Sequence, residues 1–352
     1  MESRPIRELG ENHVVSRFRA LASGTLGPHV IVGPGDDAAV ISSPDKRLLL
    51  FACDMMVEGI HFRREWAEPR QIGWKAMVQN LSDIAAMGGE PAAAVASIAT
   101  PGCVPEEVVS GIAEGLAAAA SRYGAALVGG DFVGSPGPLV VDVAITGWVE
   151  RERMLLRRGA SPGDALLVTG YLGAAAAGLA ARQQALAEAE SSLLAEAIRA
   201  HHEPRPRLSE AHAIARARRA TSMMDLSDGL ADDLPRLCQQ SGVGARVRAQ
   251  AVPIHRACSF VADRLGVNDR QLAITGGEDY ELVLTCPPEA VHELASALSE
   301  ATGTPLTVIG EIIAEEEVLL VDADGSERSL GKGFDHFAAS SEARGRSDRA
   351  AE

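Results

Sequence analysis

The sequence predicts a mixed α/β protein with two domains, and three observations predict it. Short apolar runs alternate with segments of helical spacing along most of the chain. The charged stretch Glu150-Arg151-Glu152-Arg153 and the turn cluster Gly159-Ala160-Ser161-Pro162-Gly163-Asp164 mark a boundary near its middle. A chain of 352 residues is long enough for two sizeable cores. Residues 1–150 and 151–337 are therefore expected to form the two domains. Residues 338–352 are polar, charged and alanine-rich, which predicts a disordered tail.

In the first half, residues 48–53 form an apolar run that reads as a strand, placing Asp54 at its C-terminal end. Residues 74–87 have helical spacing, with Trp74, Met77, Val78, Leu81, Ile84 and Ala85 on one stripe and Gly88-Gly89 as the stop. Asn80 and Asp83 share a face of that helix. Residues 92–98, 125–128 and 139–146 read as strands, and residues 105–120 as a helix whose first turn holds Glu106 and Glu107. In the second half, residues 165–169 start a strand and residues 174–200 form a long alanine-rich helix or a helix pair. Pro204-Arg205-Pro206-Arg207 is a loop. A helix begins at Gly229, with Ser227 or Asp228 as its cap and Asp232 and Asp233 in its first turn. Strands are expected near 282–285, 307–313 and 318–321. Gly276-Gly277-Glu278-Asp279-Tyr280 opens the first of them at Glu281.

Charge and cysteine content narrow the function. With 48 acidic against 33 basic residues, the net charge of −15 disfavours a nucleic-acid backbone or an anionic membrane as partner. It leaves a phosphorylated substrate open, because a bound divalent cation inverts the local field. Five scattered cysteines without C-x-x-C spacing read as reduced thiols and no zinc site. Residues 1–11 show no apolar signal-peptide core and no run is long enough to span a bilayer, so a cytoplasmic protein is expected.

Five aspartate-bearing segments stand out. They are Gly33-Pro34-Gly35-Asp36-Asp37, Cys53-Asp54-Met55-Met56-Val57-Glu58-Gly59, Asn80-Leu81-Ser82-Asp83, Gly129-Gly130-Asp131 and Asp225-Leu226-Ser227-Asp228-Gly229. Any one of them taken alone reads more readily as a turn. Gathered together, crowded carboxylates repel and need a hard cation, which points to Mg²⁺ bridging aspartates and phosphate. The chain has no Walker A loop, no protein-kinase motif set and no G-x-S-x-G elbow, and Asp36-Asp37 breaks a dinucleotide fingerprint. Arg157 and Arg158 read either as phosphate ligands or as a solvated boundary pair. His61 and Glu278 read either as ligand contacts or as structural residues. Cys53 has no basic neighbour in sequence to activate it as a nucleophile.

With these residues laid out, the chain resembles the thiamine-monophosphate kinase family. That family lies in the superfamily of aminoimidazole-ribonucleotide synthetase and selenophosphate synthetase. The matching segments are G-P-G-D-D-A-A-V at 33–40, D-M-M-V-E-G-I-H-F at 54–62 and K-A-M-V-Q-N-L-S-D-I-A-A-M-G at 75–88. V-G-G-D at 128–131, G-A-S-P-G-D at 159–164 and D-L-S-D-G-L at 225–230 follow, then T-G-G-E-D-Y-E-L at 275–282 and G-K-G-F-D-H-F at 331–337. The resemblance implies ATP-dependent phosphorylation of thiamine monophosphate to thiamine diphosphate by direct in-line transfer. It implies several Mg²⁺ ions on Asp37, Asp54, Asp83, Asp131, Asp225 and Asp228, with Asp54, Asp83, Asp131 and Asp228 closest to the chemistry. It implies nucleotide contacts at Tyr123, Gly130, Asp131, Arg157 and Ser227, and thiamine-phosphate contacts at His61, Glu278 and Phe334. The fold implied is a two-domain one like aminoimidazole-ribonucleotide synthetase, a homodimer joined through the N-terminal sheet.

This chain departs from the family pattern where Cys53, Met55, Phe132 and Val133 replace frequent hydroxyl residues, and where Phe334 replaces a frequent tyrosine. The alternatives are another ATP-dependent enzyme of the superfamily, or a non-catalytic sensor of nucleotide or thiamine phosphate. Selenophosphate synthetase would need a cysteine near the N-terminus, and residues 1–32 have none. A carbamoyl-dehydratase maturation protein would need one at the C-terminus, and the last here is Cys286.

Overall fold

Two sheets, drawn from separate halves of the sequence, frame the computed structural model, which describes residues 16, 20–21, 26–44, 46–186 and 191–331. The expected tail at 338–352 and Phe334 lie outside the described residues. The first sheet holds β1 (Val30–Val32), β2 (Ala39–Ile41), β3 (Arg47–Val57), β4 (Glu90–Thr100), β5 (Ala126–Gly134) and β6 (Val140–Glu150), in the order β1-β2-β3-β6-β4-β5. Its pairs are antiparallel except β4–β5, which is parallel. A parallel pair needs a crossover, and helix α2 (Glu106–Arg122) supplies it.

The second sheet holds β7 (Ala165–Thr169), β8 (Ser222–Asp225), β9 (Gly244–Arg248), β10 (Leu282–Cys286), β11 (Leu306–Ile313), β12 (Val318–Val321) and β13 (Glu327–Ser329). Their order is β13-β12-β9-β11-β7-β10-β8. β7, β8 and β10 are buried at every residue, as strands covered on both faces must be. The alanine-rich stretch is a helix pair, α3 (Ala174–Gln183) and α4 (Ser192–His202). After it come α5 (Leu208–Ala217), α6 (Leu230–Ser241), α7 (Arg256–Leu265), α8 (Asp269–Thr275) and α9 (Val291–Thr302).

Helix α1 (Pro69–Ala86) organises both halves. It starts five residues before the expected point because Pro69 takes the first helical position and the Gln71 side chain accepts from the Glu68 N–H at 3.1 Å. It ends where Gly88 turns left-handed at φ 70°. Its contacts are with α2, β3 and β6 on one side and with α4, α5 and β8 on the other, so its burial runs nearly all the way round. A side chain at Gly73 would meet the Ile112 carbonyl at 1.9 Å, so the α1–α2 approach depends on glycine there.

Two local expectations change. Asp54 lies within β3, three residues before its end, because β3 pairs with β6 over all eleven residues. Gly129-Gly130-Asp131 is strand, with Gly130 opposite Ala96 and Asp131 opposite Ser97 in the β4–β5 ladder. The ladder overrides the weak strand propensity of Gly-Gly-Asp.

Candidate active site

A cavity of about 740 Å³ opens where α1, β3 and β8 meet the loops that precede α6 and β10. Each element brings an acid to it: Asp36 and Asp37 from the β1–β2 connection, Asp54 from β3, Asp83 from α1, Asp225 from β8 and Asp228 from the turn into α6. Asp37, Asp83 and Asp225 each offer an oxygen, and these oxygens all lie within 4.8 Å of one another. Asn80 holds β3 against the helix here. Its Oδ1 accepts from the Asp54 N–H at 3.0 Å, and its Nδ2 donates to the Ala76 carbonyl at 3.0 Å.

The electrostatics of this cluster are unfavourable without a cation. Burial, then the Asp54 charge, pushes the Asp83 carboxyl well above its ordinary range. Burial and Asp37 push Asp225 up to about 8, although Ser82 Oγ donates to its Oδ2. Burial and Asp228 push Asp54 up to about 6, and burial and Asp37 do the same for Asp36. Arg157 offsets part of this: its Nε and Nη2 reach Asp37 Oδ1 at 3.1 and 2.6 Å. The other oxygen of Asp37, Oδ2, is buried and has no hydrogen-bond partner. An all-oxygen donor set with one orphaned carboxylate oxygen fits a hard divalent cation such as Mg²⁺.

The opposite wall is built on strained backbone. Glu278 and Tyr280 both adopt left-handed conformations, at φ 69° and 50°. Backbone bonds hold them there: Glu278 N–H to the Ser227 carbonyl at 2.8 Å and Tyr280 N–H to the Leu226 carbonyl at 3.0 Å. Between them, Asp279 turns away and accepts from the Gly173 and Ala175 N–H groups at 2.6 and 3.2 Å, at the start of α3. Burial raises the Asp279 carboxyl to about 7. Glu278 lines the cavity, with Lys75 Nζ 2.6 Å from Oε1 and His201 Nδ1 2.9 Å from Oε2. Burial alone would raise its pKa, but Lys75 and His201 outweigh that and hold the carboxyl well below the usual range. His61 lines the same cavity, its Nδ1 accepting from the Val57 N–H at 3.0 Å.

The turn into α6 departs from the expected capping. Gly229, at φ 99°, takes the cap position, and neither Ser227 nor Asp228 caps through its side chain. Asp233 reaches back instead. Its Oδ2 accepts from the Asp228 and Gly229 N–H groups at 2.9 and 3.0 Å, and its Oδ1 takes Arg236 Nη1 at 3.0 Å. Arg236 also binds Asp228 Oδ2 at 2.5 Å.

Of the residues singled out in the sequence, Asp37, Asp54, Asp83, Arg157, Asp225, Ser227, Asp228, His61 and Glu278 line one cavity. Tyr123, Gly130 and Asp131 do not. Tyr123 caps the end of α2, its ring edge-on to Trp74 at 5.9 Å. Gly130 and Asp131 lie on β5, an edge strand exposed at all nine residues. Strand register aligns Asp131 with Ser97, Asp142 and Met55 across the sheet, whereas Asp54 alternates to the face that packs on α1. Lys75, His201 and Arg236 had no role in the sequence reading, and Asp36 was counted with its aspartate segment without being singled out as a ligand. Lys75 left a signal there, a cation one residue past Trp74 and beside the apolar stripe of the helix. His201 left none, because its partner Glu278 is distant along the chain. Burial, Asp142 and Asp54 raise the Cys53 thiol, which agrees with its reading as no nucleophile.

Comparison with known proteins agrees with this arrangement. The model of the AIR synthase related protein N-terminal domain matches residues 35–149, and that of the C-terminal domain matches residues 161–322. The thiamine-monophosphate kinase of Synechococcus elongatus is 37% identical over 345 residues, covering 96% of this chain and 99% of the relative. That of Bacillus subtilis is 34% identical, covering 88% and 94%. Among solved structures, "AaThiL complexed with AMPPCP and TMP" superposes with a TM-score of 0.83 at 29% identity, covering 96% of this chain and all of that one. The two matched domains, the near-full-length identity and the aspartates gathered at one cavity place this chain in the thiamine-monophosphate kinase family of AIR synthase related proteins.

Proposed function

We propose that the protein transfers the γ-phosphoryl group of ATP directly to thiamine monophosphate, giving thiamine diphosphate. The observation that carries this reading is the Asp37–Asp83–Asp225 cluster in a chain 37% identical to a thiamine-monophosphate kinase over nearly its full length. Asp37, Asp83 and Asp225, with Asp54 and Asp228 beside them, would hold Mg²⁺. When bound, Mg²⁺ supplies positive charge to the phosphate oxygens. Arg157 adds a fixed guanidinium at the same place. The dense carboxylates set where the phosphates go by excluding them from every position not screened by a cation. His61 and Glu278 would contact the thiamine end, and Ser227, which lines the same cavity, the nucleotide.

The reading includes a homodimer. Phe51, Met55, Val95, Leu127, Val128, Phe132 and Val133 are large apolar side chains exposed on the first sheet and its β5 edge. This exposed apolar surface supports the pairing, and a second sheet laid against it would bring cover to Asp131 and Gly130 on the edge strand. We divide the chain into residues 1–150 and 151–337 and read it as a cytoplasmic enzyme. No helix among the described residues is long and apolar enough to cross a membrane.

Incubating the purified protein with ATP, Mg²⁺ and thiamine monophosphate, then separating the thiamine esters chromatographically, tests the reaction. Thiamine diphosphate formed in proportion to ADP is expected. Binding of thiamine monophosphate without turnover would replace the enzyme reading with that of a sensor.

A further inference from the structure

Lys75 is 3% exposed, the one buried cation of a helix whose other buried polar side chains are the neutral Asn80 and Ser82 and whose Asp83 carboxylate is half-buried. Burying an ammonium is costly unless it is paired. Its Nζ lies 2.6 Å from Glu278 Oε1 and 3.5 Å from the His61 carbonyl oxygen. It thus joins the two residues read as facing thiamine. Glu278 needs such an anchor. Its backbone sits at φ 69°, a left-handed conformation that is strained for a non-glycine residue. Its other oxygen faces His201 Nδ1 at 2.9 Å, and that nitrogen makes no well-aligned hydrogen bond. Lys75 is therefore the strong partner that fixes the carboxylate.

We infer that Lys75 is a positioning residue for substrate specificity, holding Glu278 ionised and aimed at the non-phosphate end of the substrate. The inference rests on the function proposed above and deepens it. A carboxylate offers about four acceptor positions. Lys75 takes one of them and His201, which itself lines the cavity, stands beside the other oxygen, so acceptor positions remain for a ligand. A fixed negative group there repels phosphate and favours a cationic heterocycle or an amine donor, and thiamine carries both. Lys75 does not itself line the cavity, so it acts through Glu278.

The test is a double-mutant cycle on the full chain, read as KM for thiamine monophosphate and KM for ATP separately. Lys75→Met is expected to raise KM for thiamine monophosphate tenfold or more and to leave KM for ATP within about twofold. Glu278→Gln is expected to do the same. In the Glu278→Gln background, Lys75→Met should then add little, because the residue it acts through is already lost. Additive losses, or a loss shared equally by ATP, would mean a merely structural lysine and overturn the inference. If Lys75→Met does not fold, Lys75→Arg decides. It keeps the charge and displaces the head group, so KM for thiamine monophosphate should rise while KM for ATP stays. An unchanged KM for thiamine monophosphate in that variant overturns the inference. Failure of the parent protein to turn over thiamine monophosphate would sink the proposed function itself, which keeps the two failures apart.

Discussion

Replacing Asp54 with asparagine should stabilise the metal-free protein while disabling it. The Asp54 carboxyl is pushed from an ordinary 3.8 to about 6 by burial and by Asp228, Asp142 and Asp37. The fold therefore favours its protonated form. The stability cost is absent below about pH 4, grows as pH rises between the two values and is complete above about pH 6. At about 1.36 kcal/mol per pH unit, the difference is about 3 kcal/mol. Solvent reaches this partly exposed residue, and a buried amide keeps some of the burial cost, so about 1–2 kcal/mol is expected to be recovered. In excess chelator near pH 8, Asp54→Asn should melt a few degrees above the parent, and near pH 4 the gap should close. Added Mg²⁺ should raise the parent more than the variant, reversing their order, because a bound cation makes the charged carboxylate favourable. The rate should fall about 100-fold or more, since one electrostatic contribution to the transferring phosphoryl group is lost. Differential scanning calorimetry and the thiamine diphosphate assay read the two effects. A variant no more stable than the parent in chelator would refute the crowding argument. One with the parental rate would refute the metal assignment.

Three further outcomes are expected. Asp232→Asn should keep activity within a few-fold. Asp233→Ala should lose about 1–2 kcal/mol in denaturant unfolding, because it removes the acceptor of two N–H groups at the start of α6; equal effects of the two would contradict the capping geometry. Excess chelator should abolish turnover, whereas Cys53→Ala in the absence of any reductant should retain it, and inactivity of a folded Cys53→Ala protein would reinstate the thiol. Analytical ultracentrifugation at sub-micromolar concentration should show a dimer, with specific activity falling as it dissociates; a fully active monomer would end that proposal.

Much of the site was legible because its residues are local in sequence and chemically distinctive. The i, i+3 spacing of Asn80 and Asp83 put both toward β3 and the cavity, as helix geometry requires. The strands at 165–169, 282–286, 306–313 and 318–321 followed from apolar runs, whereas Ser222–Asp225, Gly244–Arg248 and Glu327–Ser329 were not foreseen, being short and mixed in polarity. What was hidden depended on partners distant in the chain. Asp54 was read at a strand end because the apolar run stops there, but pairing with β6 carries the strand on to Val57. The α6 cap was sought before the helix, where capping residues usually stand. Gly229 turns the backbone there, and Asp233, inside the helix, reaches back to accept from the N–H groups of Asp228 and Gly229. The first-half helix was read with one apolar stripe, yet packing against both halves buries nearly all of its faces, Lys75 included.

That central burial of α1 constrains how the molecule can move. Asp83 and Lys75 are spaced eight residues apart on one rod, about 12 Å along its axis, so the aspartate cluster and the Lys75–Glu278 pair share a single rigid ruler. The span between them is set by helix geometry. Because the rod is clamped by elements from both sheets, swinging one half away from the other would tear apolar surface out of contact on both sides at once. The loop wall of the cavity is seated as closely as the rod: Gly277 packs on the backbone of Ser227 and Asp228, and Gly276 on Ala176 and the Leu272 carbonyl, so a side chain at either would force them apart.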